Sequence, residues 1–226
     1  MDSISVGGRT ATVDEPLRCA VFLSGSGSGM EALVHAQRNQ TLLHQTVVVV
    51  ANKTGIEGLE RARRLGVPTL VVEQNHEGGS RSREEHEAEI LSQMKEYNVE
   101  LVVLAGYMRL LSPLFLSGWT NRVVNIHPSF LPHFPGAHAH REVLASQTTI
   151  TGCTVHLVDE GMDTGAILAQ RIVPVFKDDD ESTLSARVKV EEHRLYPQVL
   201  TWIAEGRVHL TEGGVSIVGA EGPQVG

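Results

Sequence analysis

The sequence predicts an α/β domain built on an open, mostly parallel sheet with helices on both faces. Three observations carry that reading. Short apolar runs recur along the chain, at Cys19 to Leu23, Val47 to Val50 and Leu101 to Ala105, with a further strand-like run, broken by Asn125, at Val123 to Ile126. Such runs are too uniform for a strand with one wet face and fit a parallel sheet covered on both sides. Segments with helical spacing lie between them, and strand–helix–strand at this rhythm builds parallel sheets with right-handed crossovers. Glycine and proline mark the joints between these segments, as at Gly66 and Pro68.

Taken in order, residues 1–16 are polar and Gly/Thr-rich, close on Pro16, and read as a loose tail. The strand Cys19 to Leu23 runs into the loop Ser24-Gly-Ser-Gly-Ser-Gly29, with a helix from about Met30. The β-branched run at Val47 is followed by a helix from Glu57 to Leu65 and a strand from Thr69 to Val72. Ser82-Arg-Glu-Glu85 is a capping box, in which the serine oxygen takes one orphan N–H and Glu85 reaches back to another. Ile90, Leu91, Met94 and Tyr97 then recur at helical spacing. Thr154 to Val158 reads as a further strand. Leu184, Val188, Leu195 and Val199 mark a long helix, expected to bend or break at Pro197. Arg207 to Leu210 and Val215 to Val218 form a hairpin around TEGG. The expected organisation is a tail over 1–16, one domain over 17–210, and a hairpin strand and tail over 211–226. Ligands in open parallel sheets bind beyond the carboxyl ends of the strands, which directs attention to the loops after residues 23, 50, 105, 126 and 158.

Composition narrows the function. A net charge of −8 argues against general affinity for nucleic acid or anionic membrane, although a local site can still hold an anion. No apolar run is long enough to cross a bilayer, and the first residues lack the basic and apolar regions of a secretory signal. Cys19 and Cys153 lie in separate strand-like runs and are expected to be buried free thiols. The chain reads as a cytoplasmic protein.

Five segments could carry chemistry. The Gly/Ser loop can close backbone N–H groups around a phosphate at a helix N-terminus, or be a plain βα turn. Gly25, Gly27 and Gly29 alternate, so the dinucleotide pattern is absent, and no Gly-Lys-Ser/Thr follows to make a P-loop. Asn125 and His127 share one face at a strand's carboxyl end, where an amide and an imidazole can stabilise an oxyanion and move a proton; a structural histidine with a turn-capping asparagine is the alternative. Asp159-Glu-Gly-Met-Asp163-Thr-Gly165 is either a solvated acidic loop or the source of a carboxylate, Asp163, for His127. His138 and His140 invite a metal, but an i,i+2 pair in a loop without cysteine lacks a fixed geometry, and no metal is expected. Glu191 and Glu192 interrupt an apolar stripe, where a carboxylate needs a partner, a ligand or solvent.

Together these segments carry a resemblance. VFLSGSGSGMEAL, VVLAGYMRLLSPLF, NIHPSFLPHFPGAHAHREVL, TGCTVHLVDEGMDTGAILAQRIVPV and EEHRLYPQVLTWIAEGRV, spread over about Arg18 to Leu210, are similar to the phosphoribosylglycinamide formyltransferase family. NIHPSFLP alone marks the wider formyltransferase fold; AGYMRLLSP, GAHAH and EEHRLYP narrow the match. The resemblance implies the formyltransferase fold, with a Rossmann-like N-terminal half. It implies formyl transfer from 10-formyltetrahydrofolate, as co-substrate, to the amine of glycinamide ribonucleotide in purine synthesis. Asn125, His127 and Asp163 fall on the family's catalytic trio. The nucleotide is implied over Gly27, Ser28 and Gly29, with Lys189, Val190, Glu191 and Glu192 beyond it. The folate is implied near Met108, Arg109, Leu110, Leu111, Asn125 and the loop Asp159, Glu160, Gly161, Met162 and Asp163, with Arg83 and Arg109 meeting its glutamate end. Relatives usually carry Asn where this chain has Gly29, and the resemblance does not reach the segment before Arg18. The expected partners are these small molecules, with a homodimer left open.

Rivals on the same fold are a folate deformylase, which usually carries an extra N-terminal domain, and a methionyl-tRNA formyltransferase, which needs a basic surface and a C-terminal domain. A non-catalytic binding module and a metal hydrolase on the histidines are rivals of other classes, and the intact trio argues against a dead site.

Overall fold

The apolar runs of the sequence become the middle of a seven-stranded sheet. The computed structural model describes residues 4–39, 41–76 and 79–219. In chain order its strands are β1 (Ile4–Ser5), β2 (Leu17–Leu23), β3 (His44–Ala51), β4 (Thr69–Val71), β5 (Asn75–His76), β6 (Gly79–Ser80), β7 (Leu101–Leu104), β8 (Val123–His127), β9 (Ile150–Leu157), β10 (Ile167–Pro174), β11 (Val208–Thr211) and β12 (Gly214–Ile217). Its helices are α1 (Ser28–Asn39), α2 (Glu57–Arg64), α3 (Arg83–Met94), α4 (Pro113–Gly118), α5 (Ala139–Ala145) and α6 (Glu181–Ala204). The large sheet has the order β10-β9-β8-β7-β2-β3-β4. The five strands from β8 to β4 run parallel, and β9 and β10 close the other edge with antiparallel pairings.

Strand alternation divides the core in two. Cys19, Val21 and Leu23 of β2 join Leu101 and Val103 of β7 under α1, α2 and α6. Ala20 and Phe22 join Val48, Val50, Val102 and Leu104 on the opposite face, under Ile90 and Met94 of α3 and Phe115 of α4. Both faces are dry, which explains the absence of polar alternation in these strands. The capping box at Ser82 and Glu85 is formed, so α3 starts where its sequence signal lies.

Three expectations are corrected. Helix α6 does not break at Pro197; it runs uninterrupted for 24 residues. A mid-helix proline costs about 3 kcal/mol, whereas each large apolar side chain fully buried returns about 1.5–3 kcal/mol. Leu184, Val188, Leu195, Val199, Leu200 and Ile203 are all buried along α6 and outweigh the lost bond. The segment expected as a tail is packed over residues 4–16. There Ile4 and Ser5 pair with Leu210 and His209, and Val6 and Ala11 are buried. The Arg9 guanidinium donates to the Glu100 carboxylate, at 2.8 Å from Nη2, and to the carbonyls of Glu15 and Pro16. Two small apolar anchors in a polar segment leave no periodic signal, and the partner of Arg9 is distant in sequence. Finally, the run at Thr154 belongs to β9, which is antiparallel, and its partner β10 had no separate strand signal. The hairpin of β11 and β12 forms near the expected place, while the last residues of the chain, 220–226, lie outside the described residues.

Candidate active site

The chain leaves β2 toward β3 and leaves β7 toward β8, on opposite sides, although β2 and β7 are neighbours. A crevice therefore opens beyond their carboxyl ends. It is a cleft of about 520 Å³, walled by the Gly/Ser loop, the segment from Ala105 to Leu110, the end of β8 and the middle of α6. Gly27 has φ +72°, and a Cβ there would lie 2.6 Å from the Gly58 Cα. Only glycine permits both the left-handed turn and this approach of the loop to α2. The loop thus presents the N-terminal turn of α1, with its favourable partial charge for an anion, to the cleft. At Gly29 a side chain would meet only Ala105 Cβ at 3.8 Å, so no steric demand requires glycine there.

At the other end of the cleft floor, β8 carries Asn125 and His127. Its antiparallel pairing with β9 sets His156 directly opposite Asn125. His156 Nδ1 donates to the Leu157 carbonyl at 2.8 Å, a tautomer that leaves Nε2 to accept from Asn125 Nδ2 at 3.1 Å. His127 Nε2 donates to the Phe134 carbonyl at 2.8 Å, so its free nitrogen is Nδ1, 3.3 Å from Asp163 Oδ2. Asp163 Oδ2 also accepts the Gly136 N–H at 2.8 Å, and its Oδ1 stands 3.6 Å from His156 Nε2. Asp163 has φ +56°, a left-handed conformation that aspartate tolerates better than most residues. Because β9 is antiparallel, its carboxyl end lies opposite the amino end of β8, at Val124. Asp163 therefore reaches His127 by the doubling back of segment 158–166, not from the carboxyl end of a parallel strand as expected.

The electrostatics follow from burial. Burial opposes ionisation of Asp163, but positive charge on His156, the Gly136 N–H and positive charge on His127 outweigh it and hold the carboxyl at about 2 when those imidazoles are protonated. Burial lowers the His127 pKa below the ordinary histidine value, with the Phe134 carbonyl and Asp163 opposing it. Burial thus works against a resting imidazolium at His127. Asp163 supplies the counter-charge for an imidazolium formed at Nδ1 during reaction.

Helix α6 closes the cleft. The Tyr196 hydroxyl donates to the carbonyls of Leu104, at 2.9 Å, and Val124, at 3.0 Å, tying the helix to the ends of β7 and β8. That tie aims Lys189, Glu192 and His193 at the cleft. Burial raises the Glu192 pKa to about 7, with Lys189 opposing. His140 Nδ1 and His193 Nε2 are buried without a hydrogen-bond partner among the described residues, in a cleft wall where a polar ligand can satisfy them.

The cleft brings together most of the residues singled out from sequence: Gly27, Ser28, Gly29, Met108, Arg109, Leu110, Asn125, His127, Met162, Asp163, Lys189 and Glu192. Others stand apart. Leu111 is 6% exposed and packs in the core beside Phe115. Arg83 is exposed in the first turn of α3, and Val190 is exposed on α6. Glu191 pairs with Arg194 at 2.7 Å. Asp159 accepts from Thr164 Oγ1 and the Gly161 N–H within its own loop, and Glu160 is exposed there. His156 and Tyr196 were missed. The only sequence signal for His156 was a polar residue inside a buried strand, which does not say what stands opposite.

Comparison with known proteins agrees with this geometry. The formyl transferase family model matches residues 17–200. The chain is 44% identical over 198 residues to a trifunctional purine biosynthetic protein adenosine-3 of Gallus gallus, covering 88% of this chain but only 19% of that relative. It is 37% identical to phosphoribosylglycinamide formyltransferase of Escherichia coli (strain K12), covering 93% of this chain and 98% of that one. The solved structure of glycinamide ribonucleotide transformylase 1 from Symbiobacterium toebii superposes with a TM-score of 0.84 at 39% identity, covering 89% and 94% of the two chains. With a trio at the head of β8 and a family match spanning nearly all of the sheet, the chain belongs to the formyl transferase family.

Proposed function

We propose that this protein transfers the formyl group of 10-formyltetrahydrofolate to the amine of 5'-phosphoribosylglycinamide in de novo purine biosynthesis. The observation that carries the reading is the corner of Asn125, His127 and Asp163 in a cleft with two unlike ends. One end offers the N-terminal turn of α1, suited to a phosphate. The rim of the other exposes the apolar side chains of Met108, Leu110 and Met162, suited to a flat aromatic donor. Arg109, on that rim, supplies positive charge for the donor's carboxylates.

In the reaction the neutral glycyl amine attacks the formyl carbon, and negative charge builds on the formyl oxygen. Asn125 donates an amide N–H to that oxygen, and one such donor is worth about 3–4 kcal/mol in the transition state. His127 takes up positive charge at Nδ1, where Asp163 stabilises it. The bond from the carbon to N10 then breaks, and the proton released by the amine ends on N10. On the acceptor side, Glu192 needs a polar partner in the cleft, and the nucleotide's hydroxyl groups are of the right chemistry. On this reading the reaction runs in the cytoplasm, which suits the two buried free thiols.

The test is the absorbance of released folate with and without the nucleotide. Release should require the nucleotide and yield the formylated nucleotide in equal amount. Equal release in its absence would mean that water is the acceptor and the enzyme a deformylase.

A further inference from the structure

We propose that Ser24 couples the two ends of the cleft, by tying the loop that faces the acceptor to the loop that faces the formyl donor. The inference rests on the function proposed above for the identity of the ligands, and adds to it a positioning residue through which filling one end prepares the other.

Ser24 follows β2 directly, is 7% exposed and lines the cleft. Its N–H donates to the Gly106 carbonyl at 3.0 Å, and its Oγ accepts the Met108 N–H at 2.9 Å. Each loop is otherwise anchored on its far side. Gly25 accepts the Gly58 N–H at 3.1 Å, and Gly27 lies against Gly58, so the Gly/Ser loop is held to α2. The donor-side loop is fixed beyond Leu111 by Glu87, a buried carboxylate that accepts from both the N–H, at 2.8 Å, and the hydroxyl of Ser112. Between these anchors, among the described residues, the Ser24 hydroxyl is the side-chain group that hydrogen-bonds one loop to the other. Met108 and Leu110, which the tie holds in place, are 67% and 48% exposed and would be covered by the donor.

The hydroxyl can transmit occupancy because its two functions are used separately. Its oxygen accepts from Met108, while among the described residues its hydrogen is donated to no protein acceptor. A ligand on the acceptor side that takes this hydrogen makes the oxygen a stronger acceptor, and hydrogen bonds in such chains reinforce one another. The loop then has two states, Met108 tied or Met108 released to water, and any ligand that favours the tied state favours the other ligand. Linkage requires the effect to be reciprocal.

The experiment is calorimetric titration of the nucleotide and of tetrahydrofolate, which lacks the formyl group and does not turn over. Each is titrated alone and with the other saturating. Wild-type protein should bind each ligand at least about fivefold more tightly in the presence of the other, the lower end of ordinary coupling. In Ser24→Ala that factor should fall to near one while each ligand still binds alone, and Ser24→Thr, which keeps the hydroxyl, should restore it. A merely structural serine would lower stability or both affinities and leave the factor unchanged. Hydrogen exchange on the unmutated protein tests the tie independently of any variant: the Met108 amide should exchange more slowly once the nucleotide alone is bound. Coupling that persists in Ser24→Ala, coupling absent from the wild type, or an indifferent Met108 amide overturns the proposal. A wild-type protein that binds neither ligand overturns the functional reading and the coupling with it.

Discussion

Glu192→Gln should stabilise the protein while impairing it. Burial moves the Glu192 carboxyl from an ordinary 4.5 to about 7, against the pull of Lys189. A tenfold change in proton affinity corresponds to about 1.4 kcal/mol, so the whole displacement would cost the ionised folded state about 3 kcal/mol. The side chain keeps some contact with solvent in the open cleft, and screening reduces this to roughly 1–2 kcal/mol. The folded state holds the proton more tightly than the unfolded chain. Stability from this site is therefore fully present below pH 4.5 and lost as the pH rises through about 7. Glutamine cannot ionise, so the variant should match the parent near pH 4.5 and exceed it by roughly 1–2 kcal/mol at about pH 8. For a domain of this size that is a Tm gain of about 3–6 °C. Urea denaturation at a series of pH values measures the difference directly. On the placement proposed for the nucleotide, its KM should rise far more than the folate KM. A stability difference independent of pH, or a change confined to the folate KM, would refute the placement of Glu192 as a strained ligand-facing acid.

Further outcomes follow from the same geometry. Alanine at Asn125, His127 or Asp163 should lower kcat by roughly 10²–10³ with little change in either KM, as for loss of one transition-state donor. Asn125→Ala with Asp163→Ala should cost less than the product of the single effects, and strict multiplicativity in steady-state kinetics would separate the trio. His156→Ala removes the acceptor that orients the Asn125 amide and should lower kcat about tenfold, or about 1.4 kcal/mol; recovery in His156→Gln distinguishes orientation from packing. Gly27→Ala forces a Cβ to 2.6 Å from the Gly58 backbone at positive φ and should abolish nucleotide binding in calorimetry, whereas Gly29→Ala should leave it measurable. Arg9→Ala breaks the tie to the partly exposed Glu100 and should lower chemical stability by about 1 kcal/mol while leaving kcat unchanged.

Much of the molecule was legible in its order of residues, for definable reasons. The parallel strands were visible because both of their faces are dry, so Val47 to Val50 and Leu101 to Leu104 needed no partner to be recognised. The start of α3 was visible because a capping box is local, contained in Ser82 to Glu85. Asn125 and His127 could be set on one face because strand alternation is local too. What the order of residues alone did not contain was which strand lies beside β8 and in which direction. An apolar run such as that ending at Leu157 is equally apolar parallel or antiparallel, and only the register Asn125 to His156 reveals the histidine that stands beside Asn125 in the corner of the cleft. The same holds for Arg9 with Glu100, for Tyr196 with the carbonyls of Leu104 and Val124, and for Ser24 with Met108. In each of these pairs the partners lie 72 to 92 residues apart in the chain. Local periodicity determined the elements of this protein; hydrogen bonds between residues far apart in the chain, which no local pattern contains, decided how those elements meet at the cleft.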